Sequence, residues 1–226
     1  MKLKINGYIV SNEWKPVYDF YGVESCCPND ITLAVTGKEN ELLEIEIGTC
    51  YGGDIFAGSE IGAAIKAHKG GASISILGLA ASAASILAMY APNEMSPTAM
   101  MMVHNVSSMA EGDYRIMSKE SDTLKQCNKA MSAAYVMKSG MPEAEALKMM
   151  NDETWLTAAQ AKERGLIDRI MFDSSTLVAS VGPGMIPKSV IDKTLKMLAD
   201  KKATEQIDNT AMTIARAKLS LIEKTM

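Results

Sequence analysis

The sequence predicts a layered α/β fold of repeated βαβ units, followed by a helical C-terminal arm. Short apolar stretches alternate with helical ones as far as residue 171, and glycines or polar runs separate them. Strands that are joined by helical crossovers lie parallel in one sheet. The length of 226 residues fits one domain of ordinary size with an appended tail.

The N-terminal third is predicted to contain most of the strands. Residues 3–10 and 31–36 are short apolar runs, and residues 42–48 alternate apolar with acidic side chains, as a half-buried strand does. The segment 51–54 contains two adjacent glycines and is predicted to break the third strand as a turn. Residues 55–68 then place apolar side chains on one stripe, which predicts a helix against the sheet.

Two further strands enclose the next predicted helix. Residues 73–77 predict a strand, a helix is predicted to begin near Ser82, and residues 100–104 predict another strand. After a polar stretch, helices are predicted over about 113–138, where a glycine follows, and over about 142–150, where a proline begins the helix.

The last predicted elements of the sheet domain are short. Residues 157–160 have the pattern of a capping box, which begins a helix that ends at Gly165, and residues 166–171 predict a final strand. A stretch rich in Gly, Pro and Ser comes next, and a charged segment of helical pattern completes the chain. The predicted organisation is a domain over 1–173, a linker over 174–189 and a helical arm over 190–226.

Charge and composition exclude several classes of function. The formal net charge of −4 and the pI of about 5.3 provide no basic surface for phosphates, so no nucleic-acid partner is expected. The four cysteines form no CxxC motif and the chain has two histidines, so no metal site is expected, and no cofactor either. Reduced thiols in a cytoplasm are the simplest expectation.

No membrane segment or signal peptide is expected. The first residues include two lysines, but the residues after them are too polar for the apolar core of a signal peptide. Residues 71–93 carry no charge and are long enough to cross a bilayer. Their Gly, Ala and Ser content fits a strand and a turn better than a spanning helix.

The two histidines differ in their value as candidate general bases, the role that imidazole most often fills near neutral pH. His68 lies at the end of a charged helix between two lysines, where an exposed structural role is expected. His104 ends an apolar strand, and sites in open α/β sheets form beyond the carboxyl ends of the strands. His104 is therefore the candidate base, and a structural histidine is the alternative.

Ser82 occupies the matching place after the preceding strand, at the first turn of a predicted helix. Its Ala and Gly neighbours allow a substrate backbone to come close, and the free N–H groups of a helix start can stabilise an oxyanion. Taken alone, a helix N-cap is the simpler role for this serine. Gly52 and Gly53 can present a backbone N–H to the same edge, and a plain tight turn is the alternative.

Four motifs taken together resemble the ClpP peptidase family: GGDIFAG at 52–58, GLAAS at 78–82, MMMVHN at 100–105 and ETWLTAAQAKERGLID at 153–168. The resemblance covers about residues 30–171 and is closest to the ClpP-like head maturation proteases of phages and prophages. It implies a ClpP/crotonase-like fold and a serine endopeptidase that needs no cofactor.

The resemblance also implies a role for individual residues. The nucleophile, the general base and the two oxyanion donors would be Ser82, His104, Gly53 and Ala83. The family's carboxylate precedes an aromatic-Leu-Ser/Thr-Ala stretch, which makes Glu153 the matching acid, with Asp152 as the alternative. That carboxylate would hold the imidazole in the required tautomer.

The implied partners come from the same resemblance. They are a ring of identical subunits and protein or peptide substrates, which for a phage-type member would be capsid or scaffold proteins in the host cytoplasm. An ATPase partner is left open. The rival prediction is a non-catalytic assembly or scaffold protein with the same fold, and a crotonase-type acyl-CoA enzyme is a third possibility that needs no Ser-His pair.

Overall fold

The computed structural model describes residues 1–173, which form one sheet with helices packed around it. The strands are β1 (Lys2–Ile9), β2 (Ser25–Cys26), β3 (Leu43–Gly53), β4 (Ala72–Ala81), β5 (Asn93–Met95), β6 (Met100–Val103), β7 (Thr154–Thr157) and β8 (Arg169–Ile170). The helices are α1 (Lys15–Phe20), α2 (Pro28–Val35), α3 (Ile55–Ala67), α4 (Ala83–Leu87), α5 (Tyr114–Ser139), α6 (Glu143–Asn151) and α7 (Ala158–Glu163), with a 3₁₀ turn at Ala88–Tyr90. The predicted linker over 174–189 and arm over 190–226 lie outside the described residues.

The sheet has the parallel order β2-β1-β3-β4-β5-β8, which confirms the predicted run of βαβ units. Besides β3, the long strand β4 pairs with two other strands. Its first half pairs with β5, and its last three residues pair with β6. Strand β7 then pairs antiparallel with β6. The carboxyl ends of β3, β4 and β6 consequently meet at one edge of the sheet.

Strand β3 continues through the glycines that were predicted to end it. Its pairing with β1 shifts register after Ile47: Ile5 pairs with Ile47 and Gly7 pairs with Cys50, so β3 has an additional residue there, which is the mark of a β-bulge. Before the shift, every second residue up to Ile47 is buried, and after it Cys50 and Gly52 are the buried ones. The residues after the bulge therefore alternate in the opposite phase from the residues before it, so Cys50 and Gly52 are buried in place of Thr49 and Tyr51.

The prediction of a strand over residues 31–36 is wrong, because these residues belong mainly to α2. The capping pattern at residues 27–30 decides the outcome. The Cys27 N–H donates to the Asp30 carboxylate at 2.8 Å, and Pro28 stands in the first helical turn, where its missing N–H costs nothing. A short apolar run does not by itself distinguish a strand from a buried helical turn.

The later helices begin and end close to where their caps predict. Asp113 caps α5 by accepting hydrogen bonds from two backbone N–H groups, and Gly140 ends that helix in the left-handed conformation. Thr157 begins α7 with the predicted capping box. The predicted sheet needs correction in three respects. The short strands β2, β5 and β7 were not foreseen, β4 continues to Ala81 beyond the predicted end at residue 77, and the last strand is limited to Arg169–Ile170.

The core consists mainly of isoleucine, alanine and methionine side chains. Isoleucines from the three central strands are almost fully buried, and α4 packs between the sheet, α3 and α5. The uncharged stretch 71–93 is accounted for by β4, α4, the 3₁₀ turn and the start of β5. Within residues 1–173, no helix combines the length and the apolar content that crossing a membrane requires.

Candidate active site

Ser82 lies at a strained turn between β4 and α4. Its backbone angles are φ 55° and ψ −125°, a conformation that residues with a Cβ rarely adopt and that costs about 1–3 kcal/mol. The Ser82 N–H donates to the Met102 carbonyl at 2.9 Å, which ties the turn to β6. Backbone strain held in place by surrounding contacts is typical of functional positions.

His104 follows the last residue of β6 and lies next to this turn. The register of β4 and β6 aligns Ala81 with Met102, so the residues just beyond the two strands come together. The Nε2 atom of His104 is 2.8 Å from the Oγ atom of Ser82, and both side chains are half-buried. Nucleophile and general base need this separation for proton transfer.

Asparagine side chains hold the segment that follows His104. The Asn105 side-chain amide donates to the Asn151 side chain at 2.9 Å, and the Val106 N–H donates to the Asn128 side chain at 2.7 Å. These contacts connect the histidine segment to α6 and α5. Sequence reasoning did not foresee them, since their partners lie far along the chain.

The glycine pair at the end of β3 lies beside Ser82. A Cβ atom on Gly52 would lie 2.6 Å from the Ser82 Cβ, and a Cβ on Gly53 would lie 2.2 Å from the Ile9 carbonyl oxygen. Both positions therefore require glycine. Gly52 is the glycine that contacts the serine, and Gly53 is one residue further along β3.

Ala83 is the first residue of α4 and is fully buried. The first N–H groups of a helix have no acceptor within the helix, so the Ala83 N–H is a candidate oxyanion donor. The structure therefore places Ala83 and the glycine pair on the two chain segments that border Ser82.

The two candidate carboxylates do not meet the histidine. Asp152 ends α6 and forms an ion pair with Lys148. Glu153 is exposed, with a positive φ of 47°, and directly precedes β7. Within residues 1–173, neither side chain forms a hydrogen bond or an ion pair with His104, so the choice of acid stays a prediction.

The register of β6 and β7 nevertheless distinguishes the two candidate acids by their positions along the chain relative to His104. Val103 and Thr154 are the last pair of this ladder, and His104 and Glu153 are the residues next to it on the two strands. Asp152 lies beyond that position and belongs to the helix. Of the two candidate acids, Glu153 is therefore the one next to the last pair of the ladder.

A cavity of about 560 Å³ opens next to Gly53. Its walls are largely apolar and aromatic, and the segment between β1 and β2 contributes Trp14 and Tyr18 to them. Val106 and Leu124 line the opposite side. Its size and its apolar lining are those of a ligand pocket. The aromatic wall was not predicted, because neither the turn at Trp14 nor its contact with the sheet edge has a local sequence signal.

The three buried cysteines, Cys26, Cys27 and Cys50, do not compete with Ser82 as nucleophiles. Burial raises the pKa of Cys50 to about 11, and burial likewise raises the pKa values of Cys26 and Cys27. These thiols therefore stay protonated near neutral pH. In the described part of the chain, no cluster of three or more His, Cys, Asp and Glu side chains is arranged to hold a metal ion.

The other histidine has a structural contact. The Nε2 atom of His68 lies 2.7 Å from the Glu41 carbonyl oxygen, so this ring ties the end of α3 to the loop before β3. This contact is far from the edge where Ser82 and His104 meet.

Hydrogen-bond contact between a serine and a histidine at the carboxyl edge of a parallel sheet is an arrangement that serine hydrolases use for a nucleophile and its base. Comparison with known proteins identifies the family. The Clp protease family model matches residues 31–174, which is more than half of the chain, and the chain belongs to this family.

Individual relatives have the same description. The ATP-dependent Clp protease proteolytic subunit of Mesostigma viride is 35% identical over 104 residues, 45% of either chain. The proteolytic subunit 1 of Chlamydia caviae is 27% identical over 56% of this chain and 69% of its own length. The chloroplastic subunit 3 of Arabidopsis thaliana is 31% identical over 60% of this chain and 45% of its own length. The chain thus spans about half to two thirds of these relatives.

Proposed function

We propose that this protein is a serine endopeptidase in which Ser82 is the nucleophile and His104 is the general base. The observation that carries the proposal is the 2.8 Å contact between the Ser82 Oγ and the His104 Nε2 at a strained turn. Membership of the Clp protease family supports the same reaction class.

The proposed reaction has two stages. His104 Nε2 takes the Ser82 hydroxyl proton while the Oγ attacks the peptide carbonyl carbon, and the carbonyl electron pair moves to its oxygen. The N–H groups of Gly53 and Ala83 stabilise this oxyanion. When the pair returns, the C–N bond breaks and His104 gives its proton to the leaving amine. Water, deprotonated by His104, then hydrolyses the acyl-enzyme and restores the Ser82 hydroxyl.

Glu153 is proposed as the carboxylate that orients His104. The Nε2 atom accepts the serine proton, so the resting imidazole carries its own proton on Nδ1, and a carboxylate facing that atom stabilises the imidazolium. The strand register favours Glu153, whereas Asp152 is already neutralised by Lys148.

The substrates are proposed to be polypeptides whose side chains enter the apolar cavity beside Gly53. Its aromatic lining favours apolar side chains next to the scissile bond. The sequence resemblance further supports capsid or scaffold proteins as substrates, a ring of identical subunits and a site of action in the cytoplasm. The relatives that match are named ATP-dependent proteolytic subunits, and an ATPase partner is left open for this chain.

Labelling with a fluorophosphonate probe tests the proposal directly. The probe should attach to Ser82 in the unaltered protein, and Ser82→Ala should abolish labelling and lower peptide cleavage by at least about 10⁴-fold. Ser118→Ala is the matched control, because this exposed serine lies on α5, away from the site, and its loss should leave labelling unchanged. A folded, unaltered protein without adduct would instead support the non-catalytic scaffold protein.

A further inference from the structure

The strained turn at Ser82 is held from both sides of the residue. On one side, its N–H is fixed by the Met102 carbonyl of β6. On the other side, its carbonyl oxygen accepts three hydrogen bonds: from the Ser85 hydroxyl at 2.7 Å, from the Ser85 N–H at 2.9 Å and from the Ile86 N–H at 3.2 Å. The two N–H donors belong to the helix α4 itself, whereas the hydroxyl is an additional donor.

The Ser85 hydroxyl has a second partner from a distant part of the chain. Its Oγ atom lies 2.8 Å from the hydroxyl oxygen of Tyr135, which is 50 residues away on α5. Both side chains are buried, with Ser85 0% and Tyr135 1% exposed. The contact therefore connects α5 to the turn that carries the nucleophile.

The directions of these hydrogen bonds follow from counting protons. Ser85 has one hydroxyl proton, and it points to the Ser82 carbonyl. Tyr135 must therefore donate its own proton to the Ser85 oxygen. Burial raises the pKa of the Tyr135 hydroxyl, so this donor keeps its proton at any ordinary pH. Consecutive hydrogen bonds of this kind strengthen one another.

We propose that Tyr135 and Ser85 are positioning residues for catalysis, which hold the Ser82 carbonyl so that the Ser82 Oγ stays directed at His104. The inference rests on the proposed peptidase function. The backbone conformation at Ser82 is strained, and the hydrogen bonds to its carbonyl hold this conformation against relaxation. Release of the carbonyl moves the nucleophile, whereas the apolar cavity that receives the substrate is left intact.

The hydrogen bond from the Ser85 hydroxyl to the Ser82 carbonyl is of a common kind, whereas the contact with Tyr135 distinguishes this arrangement. A serine hydroxyl often bonds to the carbonyl three residues before it in a helix. Ser132 on α5 does this too, since its hydroxyl donates to the Lys129 carbonyl at 2.8 Å and its side chain is 0% exposed. In the described part of the chain, Ser132 has no hydrogen bond to the nucleophile turn, so it provides a matched buried hydroxyl.

The test compares Tyr135→Phe, Ser85→Ala and the double variant with Ser132→Ala. Tyr135→Phe should lower kcat and the rate of fluorophosphonate labelling about tenfold with little change in KM, and Ser85→Ala somewhat more, because small displacements of reacting groups have effects of this order. Ser132→Ala should shift the melting temperature by a comparable amount and leave kcat unchanged.

The double variant distinguishes positioning from general loss of packing. Once the Ser85 hydroxyl is absent, Tyr135 has no connection to Ser82, so the double variant should match Ser85→Ala in kcat instead of showing the product of the two effects. Equal labelling rates in Tyr135→Phe and the unaltered protein would overturn the proposal, as would independent effects in the double variant. Absence of labelling in the unaltered protein would contradict the peptidase function itself, which is a separate outcome.

Discussion

The two sides of the candidate site differ in how firmly the fold holds them. On the nucleophile side, Ser82 is bonded through both its N–H and its carbonyl, and it packs against Gly52 and the buried Ala83. On the carboxylate side, Glu153 is exposed and has no contact with His104. The turn at Ser82 is thus held by interior packing, whereas the carboxylate proposed to orient His104 is on a side chain that the core does not hold.

The largest expected effect comes from displacing Ser82, which lies on the firmly held side of the site. Gly52→Ala should lower peptide cleavage by at least about a hundredfold, because displacement of a reacting group by about 1 Å has consequences of that size. The new Cβ would lie 2.6 Å from the Ser82 Cβ and 2.9 Å from the Ala83 nitrogen, so the turn has to move. Steady-state cleavage of a peptide measures the loss.

The control for this variant is Gly37→Ala. Gly37 has a φ of +75°, close to the +84° of Gly52, but a Cβ there meets nothing within 4 Å. Both variants therefore impose backbone strain, and only Gly52→Ala displaces Ser82. An equal loss of activity in the two variants would show that strain alone, and not contact with the nucleophile, is responsible.

A smaller effect is expected on the carboxylate side. Glu153→Gln should reduce kcat about tenfold, well below the roughly 10⁴-fold effect of a carboxylate that is already hydrogen-bonded to the imidazole. Asp152→Asn should leave kcat nearly unchanged, because its charge is taken up by Lys148. Measured kcat values for both variants check this order, and a larger loss in Asp152→Asn would reverse the assignment of the acid.

The smallest expected effect is a pH-dependent contribution of Cys50, in β3, to the free energy of unfolding. Cys50 is 0% exposed, and its pKa is raised to about 11. The unfolded thiol ionises at lower pH than the folded one, so this residue contributes stability that is complete below about pH 9 and is lost as pH rises toward about 11. The loss should be roughly 2–3 kcal/mol.

Denaturant unfolding between about pH 8 and about pH 11 measures this contribution, a window that brackets thiol ionisation. Cys50→Ala should unfold more easily at about pH 8, since a buried sulfur is removed, but its stability should fall less steeply with pH. Identical slopes for the two proteins would contradict the assignment of the alkaline loss to Cys50.

Part of the fold and of the site was predictable from local patterns. The placement of Ser82 and His104 after two neighbouring parallel strands was predicted, although the first strand was predicted to end at residue 77 and β4 continues to Ala81. The helix α2 was missed, because the capping at Cys27 and Asp30 outweighed a short apolar run. Local competition of this kind is hard to judge in a helix of only 8 residues.

Other parts of the site depend on contacts between distant residues. The bond between Ser85 and Tyr135 joins residues 50 positions apart, and no periodicity in the sequence indicates it. Glu153 and Asp152 are adjacent, so their separation required the register of β6 and β7. Both features are decided by tertiary packing, which a single sequence reveals only through the fold.

The bulge in β3 makes the site sensitive to chain length as well as to side-chain identity. One additional residue between Ile47 and Cys50, relative to β1, exchanges the faces of the strand, and Gly52 consequently lies against Ser82. Deleting that residue would restore regular alternation and turn the strand end around, with the isoleucine core before it untouched. Along this strand, substitutions outside the glycine pair are therefore easier to accommodate than an insertion or deletion of a single residue.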